Sequence, residues 1–223
     1  INRTGMIYFL NSSFKYNPDE IYINEQKENN TINQYDFGQR DNNVKLVWYN
    51  NINTCRYMFQ GSDITEIDLS DFDSSQITEM SKMFENCTSL TSLNLTNINT
   101  SQVTTFESIF NNCTALISLD LSNFDTSNAI NLQWMFYGCS GLISLDLSNF
   151  NTSKCIDMSQ MFNGCSSLTS LNISSFDTSQ VTEMNHLFKS FLKLTSLDLS
   201  NFDTSQVTIM EGMFQNCSSL TNS

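Results

Sequence analysis

The chain is poor in the residues that most enzyme chemistry requires. It has one histidine (His186), one proline and seven glycines in 223 residues, with ten lysines and arginines against 23 acidic residues. A single histidine leaves no two-histidine zinc motif and few acid–base schemes. A formal charge of −13 argues against nucleic acid and anionic membrane as partners, because both are held by lysine and arginine. No apolar run approaches the roughly 20 residues of a membrane-crossing helix, so no membrane insertion is expected within this chain. No targeting segment is visible, and the start at Ile1 points to a removed leader or to a fragment. Seven cysteines are an odd number, so at least one lacks a partner within the chain.

What is abundant is uncharged polarity: Ser, Thr and Asn make up 82 of the 223 residues. That composition suits a secreted or surface protein better than a cytosolic enzyme. The dominant signal, however, is a repeat. An aromatic marker recurs at Phe59, Phe84, Phe110, Phe136, Phe162, Phe188 and Phe214, in one step of 25 and then steps of 26. A fixed period of this size marks stacked repeat architectures, in which no unit closes a core alone.

The apolar positions keep phase within each unit. Phe84 is followed by Cys87, Leu90, Leu93, Leu95, Ile98, Val103, Phe106, Ile109 and Phe110. The L-x-x-L-x-L stretch ends in alternation, which predicts a short strand. Ile77, Met80, Met83 and Phe84 are spaced three, three and one, which predicts a turn or two of helix. Between them lies "NFDTS" or a variant, good turn and helix N-cap chemistry. The expected fold is therefore an α/β solenoid of leucine-rich-repeat type. A parallel sheet of six strands would form one side, on the order of 30 Å long, with short helices on the other. Residues 1–51 break the period and are expected to form a β-rich N-terminal cap. Residues 52–223 would be the solenoid of 26-residue units, its C-terminal end uncapped. Either the chain continues past Ser223 or another molecule covers that end, with Cys217 and Leu220 as candidate assembly-end residues.

Units such as "LISLDLSNFDTSNAINLQWMFYGCSG" and "LTSLDLSNFDTSQVTIMEGMFQNCSS" resemble the repeat of the BspA-like leucine-rich-repeat surface proteins, abundant in mycoplasma lipoproteins. The resemblance covers about residues 52–220 and rests on "FDTS", "MF" and "CSSL" at fixed phase. Phe191 in place of a cysteine, Ile98 in place of a phenylalanine, and Ala129 and Cys155 in place of valine depart from it. The resemblance implies a cell-surface or extracellular protein that adheres to other proteins or cells. It supplies no catalytic residue and no cofactor, and none is expected.

Several columns of equivalent residues are candidates for function. Cys87, Cys113, Cys139, Cys165 and Cys217 form a cysteine ladder, read as buried free thiols, with disulfides between neighbouring coils as the alternative. Asp68, Asp120, Asp146 and Asp198, with Asn94 and Asn172, should face outward from the sheet. Asp73, Asp125, Asp177 and Asp203, with Asn99 and Asn151, form a turn column. It is read as helix caps, with calcium as the lesser alternative to no metal at all. N-x-S/T sequons at Asn2, Asn11, Asn29, Asn86, Asn94, Asn99, Asn112, Asn151, Asn172 and Asn216 are glycosylation candidates if the protein is secreted by a eukaryote. Trp134 with Tyr137, and Lys189, Lys193 and His186, are departures from the polar repeat that mark either binding spots or neutral variation. The functional expectation is a non-catalytic scaffold that binds a protein or cell-surface partner. Head-to-tail self-assembly into an extracellular fibre is the alternative.

Overall fold

A computed structural model describes residues 6–29, 34–36 and 43–221. The described residues of the N-terminal region carry five short strands: β1 (Met6–Tyr8), β2 (Glu20–Ile23), β3 (Gln26–Lys27), β4 (Gln34–Asp36) and β5 (Val44–Val47). β1 pairs with β4, and β2 lies between β3 and β5, all antiparallel. Strand β2 alternates as its sequence demands, with Ile21 and Ile23 buried. Its hairpin to β3 turns through Asn24 and Glu25, at φ +50° and +68°, the left-handed pair that a two-residue turn requires. Asn11 N–H donates to the Met58 carbonyl at 3.0 Å, and Tyr16 Oη to Asn53 Oδ1 at 2.7 Å. These bonds seat the region on the first repeat, where Trp48 packs edge-on between Phe14 and Phe72.

The expected α/β solenoid with a continuous sheet and short helices is overturned. Among the described residues there is no helix, and the strands gather into four small separate sheets. In the repeats, β6 (Glu66–Asp68) pairs parallel with β7 (Ser92–Asn94), and β8 (Ser144–Asp146) with β9 (Ser170–Asn172). The stretch Leu116–Leu121 between these pairs forms no strand, so six strands do not join.

The helix fails for a specific reason. Helical amides would bond four residues back, but here alternate amides leave the unit altogether. Met80, Lys82, Phe84 and Asn86 donate to the carbonyls of Thr105, Glu107, Ile109 and Asn111 at 2.7–3.4 Å. The intervening Met83, Glu85 and Cys87 close tight turns onto Met80, Lys82 and Phe84. The chain achieves this with left-handed residues at Lys82 and Asn86, both at φ +61°, and a left-handed residue cannot continue a right-handed helix. The same two positions recur at Ser108, Trp134, Gln160, His186 and Gly212, and at Asn112, Gly138, Gly164, Ser190 and Asn216. The result is a stack of turn-built coils. Six parallel bridges run through it, from Thr54 via Glu79, Thr105, Asn131, Asp157 and Glu183 to Ile209.

The apolar set fills the interior of this stack. The rings of Phe59, Phe84, Phe110, Phe136, Phe162 and Phe188 lie face to face, with centroids 5.6–5.8 Å apart and planes within 15°. Offset stacking of this kind adds about 0.5–1.5 kcal/mol per pair beyond the area buried. Phe191 is fully buried and packs on Phe188 at 5.8 Å, filling the interior in the unit that lacks its cysteine.

Candidate functional site

In the "FDTS" element the aspartate and the threonine have opposite fates. The aspartate turns outward and closes an Asx turn: Oδ1 of Asp73, Asp125, Asp177 and Asp203 accepts from the amide of the serine two residues on, at 2.8–3.0 Å. No helix follows, so the helix-cap reading is corrected to a turn lock. The threonine turns inward. Thr100, Thr126, Thr152 and Thr178 are at most 1% exposed. Each hydroxyl donates to a carbonyl one coil on (Asp125, Asn151, Asp177 and Asp203) and accepts from the amide of that same residue, all at 2.8–3.0 Å. This buried hydroxyl ladder was not among the sequence-derived candidates; its signal is a Ser or Thr after the Asp or Asn of every unit.

The outward column behaves like the turn column. Asp68, Asp120, Asp146 and Asp198 are exposed and accept from Ser70, Ser122, Ser148 and Ser200 amides at 2.9–3.0 Å. Those backbone amides, then the serine hydroxyls, hold these carboxyls below the ordinary aspartate value. Asp177 and Asp203 are lowered by the same pair in that order. For Asp73 and Asp125 the serine hydroxyl contributes most and the amide second. Asn94, Asn99, Asn151 and Asn172 make the equivalent turns with their Oδ1 atoms. Each side chain is thus committed to its own turn, and among the described residues no three His, Cys, Asp or Glu side chains converge.

The cysteines of the ladder stand in register and none is bonded to another. Cys87, Cys113, Cys139, Cys165 and Cys217 each donate Sγ–H to the carbonyl of Phe59, Phe84, Phe110, Phe136 and Phe188 respectively, at 2.9–3.1 Å. Burial pushes Cys87 and Cys139 up to about 12 and Cys113 and Cys165 well above the ordinary thiol value. Such thiols are packing groups rather than nucleophiles. Cys217 and Leu220 are half-buried in the last coil, where Phe214 stacks on Phe188 and is 40% exposed.

Of the sequons, Asn2 lies outside the described residues. Asn29, Asn86, Asn99, Asn151 and Asn216 are exposed, and Asn11, Asn94, Asn112 and Asn172 are half-buried. Asn112 donates Nδ2–H to Asn86 Oδ1 at 2.9 Å, and Asn11 donates to the Gln60 carbonyl at 2.9 Å.

Two features on the surface stand apart from these structural columns. Ile117 and Ile143 are 58% and 49% exposed, at equivalent positions joined by an Ile143 N–H bond to the Ile117 carbonyl. Ile130 and Ile156 repeat the arrangement on another segment, again exposed and directly bonded. In other coils these positions carry Thr91, Thr169 and Thr195, or Thr104, Thr182 and Thr208. The second feature is a groove across neighbouring coils that includes Trp134 and Tyr137.

Residues 19–144 and 130–223 each match the family model described as "Mycoplasma protein of unknown function, DUF285". The chain belongs to this DUF285 family. No curated protein matches it. The overlap of the two matches at 130–144 falls within the run of coils, so one DUF285 unit spans several of them. The second match begins at the isoleucine and tryptophan departures of the middle coils, Ile130 and Trp134.

Proposed function

We propose that this DUF285 chain is a non-catalytic binding scaffold, extracellular or on a cell surface, that adheres to a protein partner. In repeat sequence it is related to the BspA-like leucine-rich-repeat surface proteins, through "FDTS", "MF" and "CSSL". The observation that carries the reading is the pairing of exposed isoleucines in adjacent coils. A lone exposed apolar residue is ordinary, whereas apolar residues set side by side on a polar surface mark a contact site. The stack supplies the rigidity that such a site needs, since every coil is bonded to the next. The charge supports a neutral or basic partner: residues 60–223 contain 17 acidic and four basic side chains, which accounts for −13.

A cell-adhesion assay on surfaces coated with the chain tests this. Binding of cells should fall after the cells are treated with protease. It should fall about tenfold, a loss of roughly 1.4 kcal/mol, when Ile117 and Ile143 are both replaced by threonine, the residue other coils carry there. Adhesion that survives both changes ends the protein-adhesion reading. Electron microscopy of the purified chain addresses the competing reading, head-to-tail assembly: filaments would favour it, and dispersed particles at high concentration would count against it.

A further inference from the structure

The groove of about 330 Å³ crosses four successive coils. Its lining comes from two columns. Lys82, Ser108, Trp134 and Gln160 are equivalent residues, and Glu85, Asn111 and Tyr137 are equivalent residues three positions on. At about 4.8 Å per coil, three steps give the groove a length near 14 Å, suited to a short linear ligand.

Three observations converge on it. First, Trp134 sits at φ +56°, a left-handed conformation that bulky residues disfavour. The neighbouring coils place Ser108 and Gln160 in the same conformation, so the fold does not call for an indole there. Trp134 and Tyr137 are both half-buried, leaving ring surface to the groove. Second, the polar side chains that a ligand in the groove would meet are amides, which both donate and accept: Asn111 and Gln160 are half-buried members of the lining, whereas Ser108 is 1% exposed and is closed off beneath them. Third, the charges are already engaged. Lys82 Nζ lies 3.3 Å from Glu107 Oε1, and Glu85 accepts from Gln60 Nε2. The lining therefore holds one cation and one anion, each answered by the protein.

A ligand for this site must offer hydroxyls that both donate and accept, an apolar face for aromatic rings, and no net charge. Nucleic acid fails the last condition beside an acidic chain. A pyranose chain meets all three: its axial C–H face stacks on indole and phenol rings, and its hydroxyls pair with side-chain amides and hydroxyls. We propose that this groove binds a short neutral oligosaccharide, with Trp134 and Tyr137 as the stacking surface and Asn111 and Gln160 as the hydroxyl-reading groups. The site is separate from the isoleucine pairs, and the proposal stands or falls independently of protein adhesion.

The test uses the whole chain against an immobilised panel of neutral tri- to pentasaccharides built on glucose, galactose, mannose and N-acetylglucosamine, with sialylated and sulfated members as charge controls. Hits are then measured by titration calorimetry. The expected result is saturable binding of at least one neutral oligosaccharide with a Kd of about 1 mM or tighter. The affinity should weaken at least about fivefold, roughly 1 kcal/mol, in Trp134→Ser and also in Asn111→Ala. Trp134→Ser installs the residue that the preceding coil carries in the same conformation, and Asn111→Ala keeps the backbone bonds if the first variant misfolds. Circular dichroism of each variant establishes that it is folded. Absence of any neutral hit, preference for the charged members, or affinity that changes less than fivefold in the folded variants overturns the proposal.

Discussion

The two halves of this protein use their backbone amides in opposite ways. In the N-terminal region the bonds are local and antiparallel: Glu20–Ile23 is matched residue for residue against Val44–Val47. In the coils nearly every unit is bonded to the one 25 or 26 residues away. Charge follows the same division. Residues 1–59 hold six acidic and six basic side chains, and Glu20 there is paired to Lys27 and Tyr22. The excess acidity all lies beyond Gln60, along coils whose aspartates are locked into turns by their own serines. Even the left-handed residue serves two ends: in the hairpin at Asn24–Glu25 it reverses a chain, and in the coils it turns amides out toward the next coil. A structure held by local pairs should break locally, and one held between neighbours should break as a run of coils.

The largest effect is expected from the centre of the ring stack. Phe136→Ala removes a fully buried ring that contacts both Phe110 and Phe162 and should lower unfolding free energy by about 3–5 kcal/mol. Urea denaturation followed by circular dichroism reads the shift, and hydrogen exchange should rise in the coils on both sides while the β2–β5 amides stay protected. Equal loss of protection in both halves would erase the distinction between them. Next is the hydroxyl ladder. Thr152→Val leaves both the amide and the carbonyl of Asp177 without their partner, at about 1–3 kcal/mol. Thr152→Ser keeps both bonds and should recover most of that.

Acid should act more strongly on the coils. Eight aspartates of the two columns have their pKa depressed on folding. Their stabilisation is complete above the free aspartate pKa near 4 and is lost as pH falls through the lower folded values. In the N-terminal region Glu20 is lowered to about 2 by hydrogen bonds from Lys27, Tyr22 and Tyr49. The melting temperature should hold steady between about pH 7 and about pH 5 and drop below about pH 4. Asp125→Asn with Asp177→Asn, imitating Asn99 and Asn151, should make that drop shallower. A melting temperature that rises on acidification would mean that repulsion within −13 outweighs the turns. The smallest effect is local: Glu25→Gly completes an Asn-Gly hairpin turn and should stabilise β2–β3 by about 0.5–1 kcal/mol. Slower amide exchange at Glu28, whose N–H donates to the Ile21 carbonyl across the hairpin, with the coils unchanged, is the readout.

The period, the buried phenylalanines and the inward cysteines are legible in the residues, because apolar side chains at constant phase have one place to go. The helix was misread because the spacing of Ile77, Met80, Met83 and Phe84 suits any segment closed by tight turns, helical or not. One column of left-handed residues left a trace in composition, as Asn86, Asn112, Gly138, Gly164 and Asn216 are types that tolerate that conformation. The other, Lys82, Ser108, Trp134, Gln160, His186 and Gly212, left one only at its glycine. The candidate groove was half legible: Trp134 and Tyr137 stand out from their repeat, whereas Asn111 and Gln160 belong to the ordinary polar background until the fold sets them beside the rings.

Which side chains go inside is decided along the chain, since burial depends on a residue's own apolar surface and its phase. Where the backbone bonds go is decided only in three dimensions. An amide such as that of Phe84 can close a helical turn or reach Ile109 in the next coil, and the two bonds are chemically alike. The choice falls to the second because a neighbour of identical phase lies alongside, and stacking ring on ring fixes its carbonyls within reach.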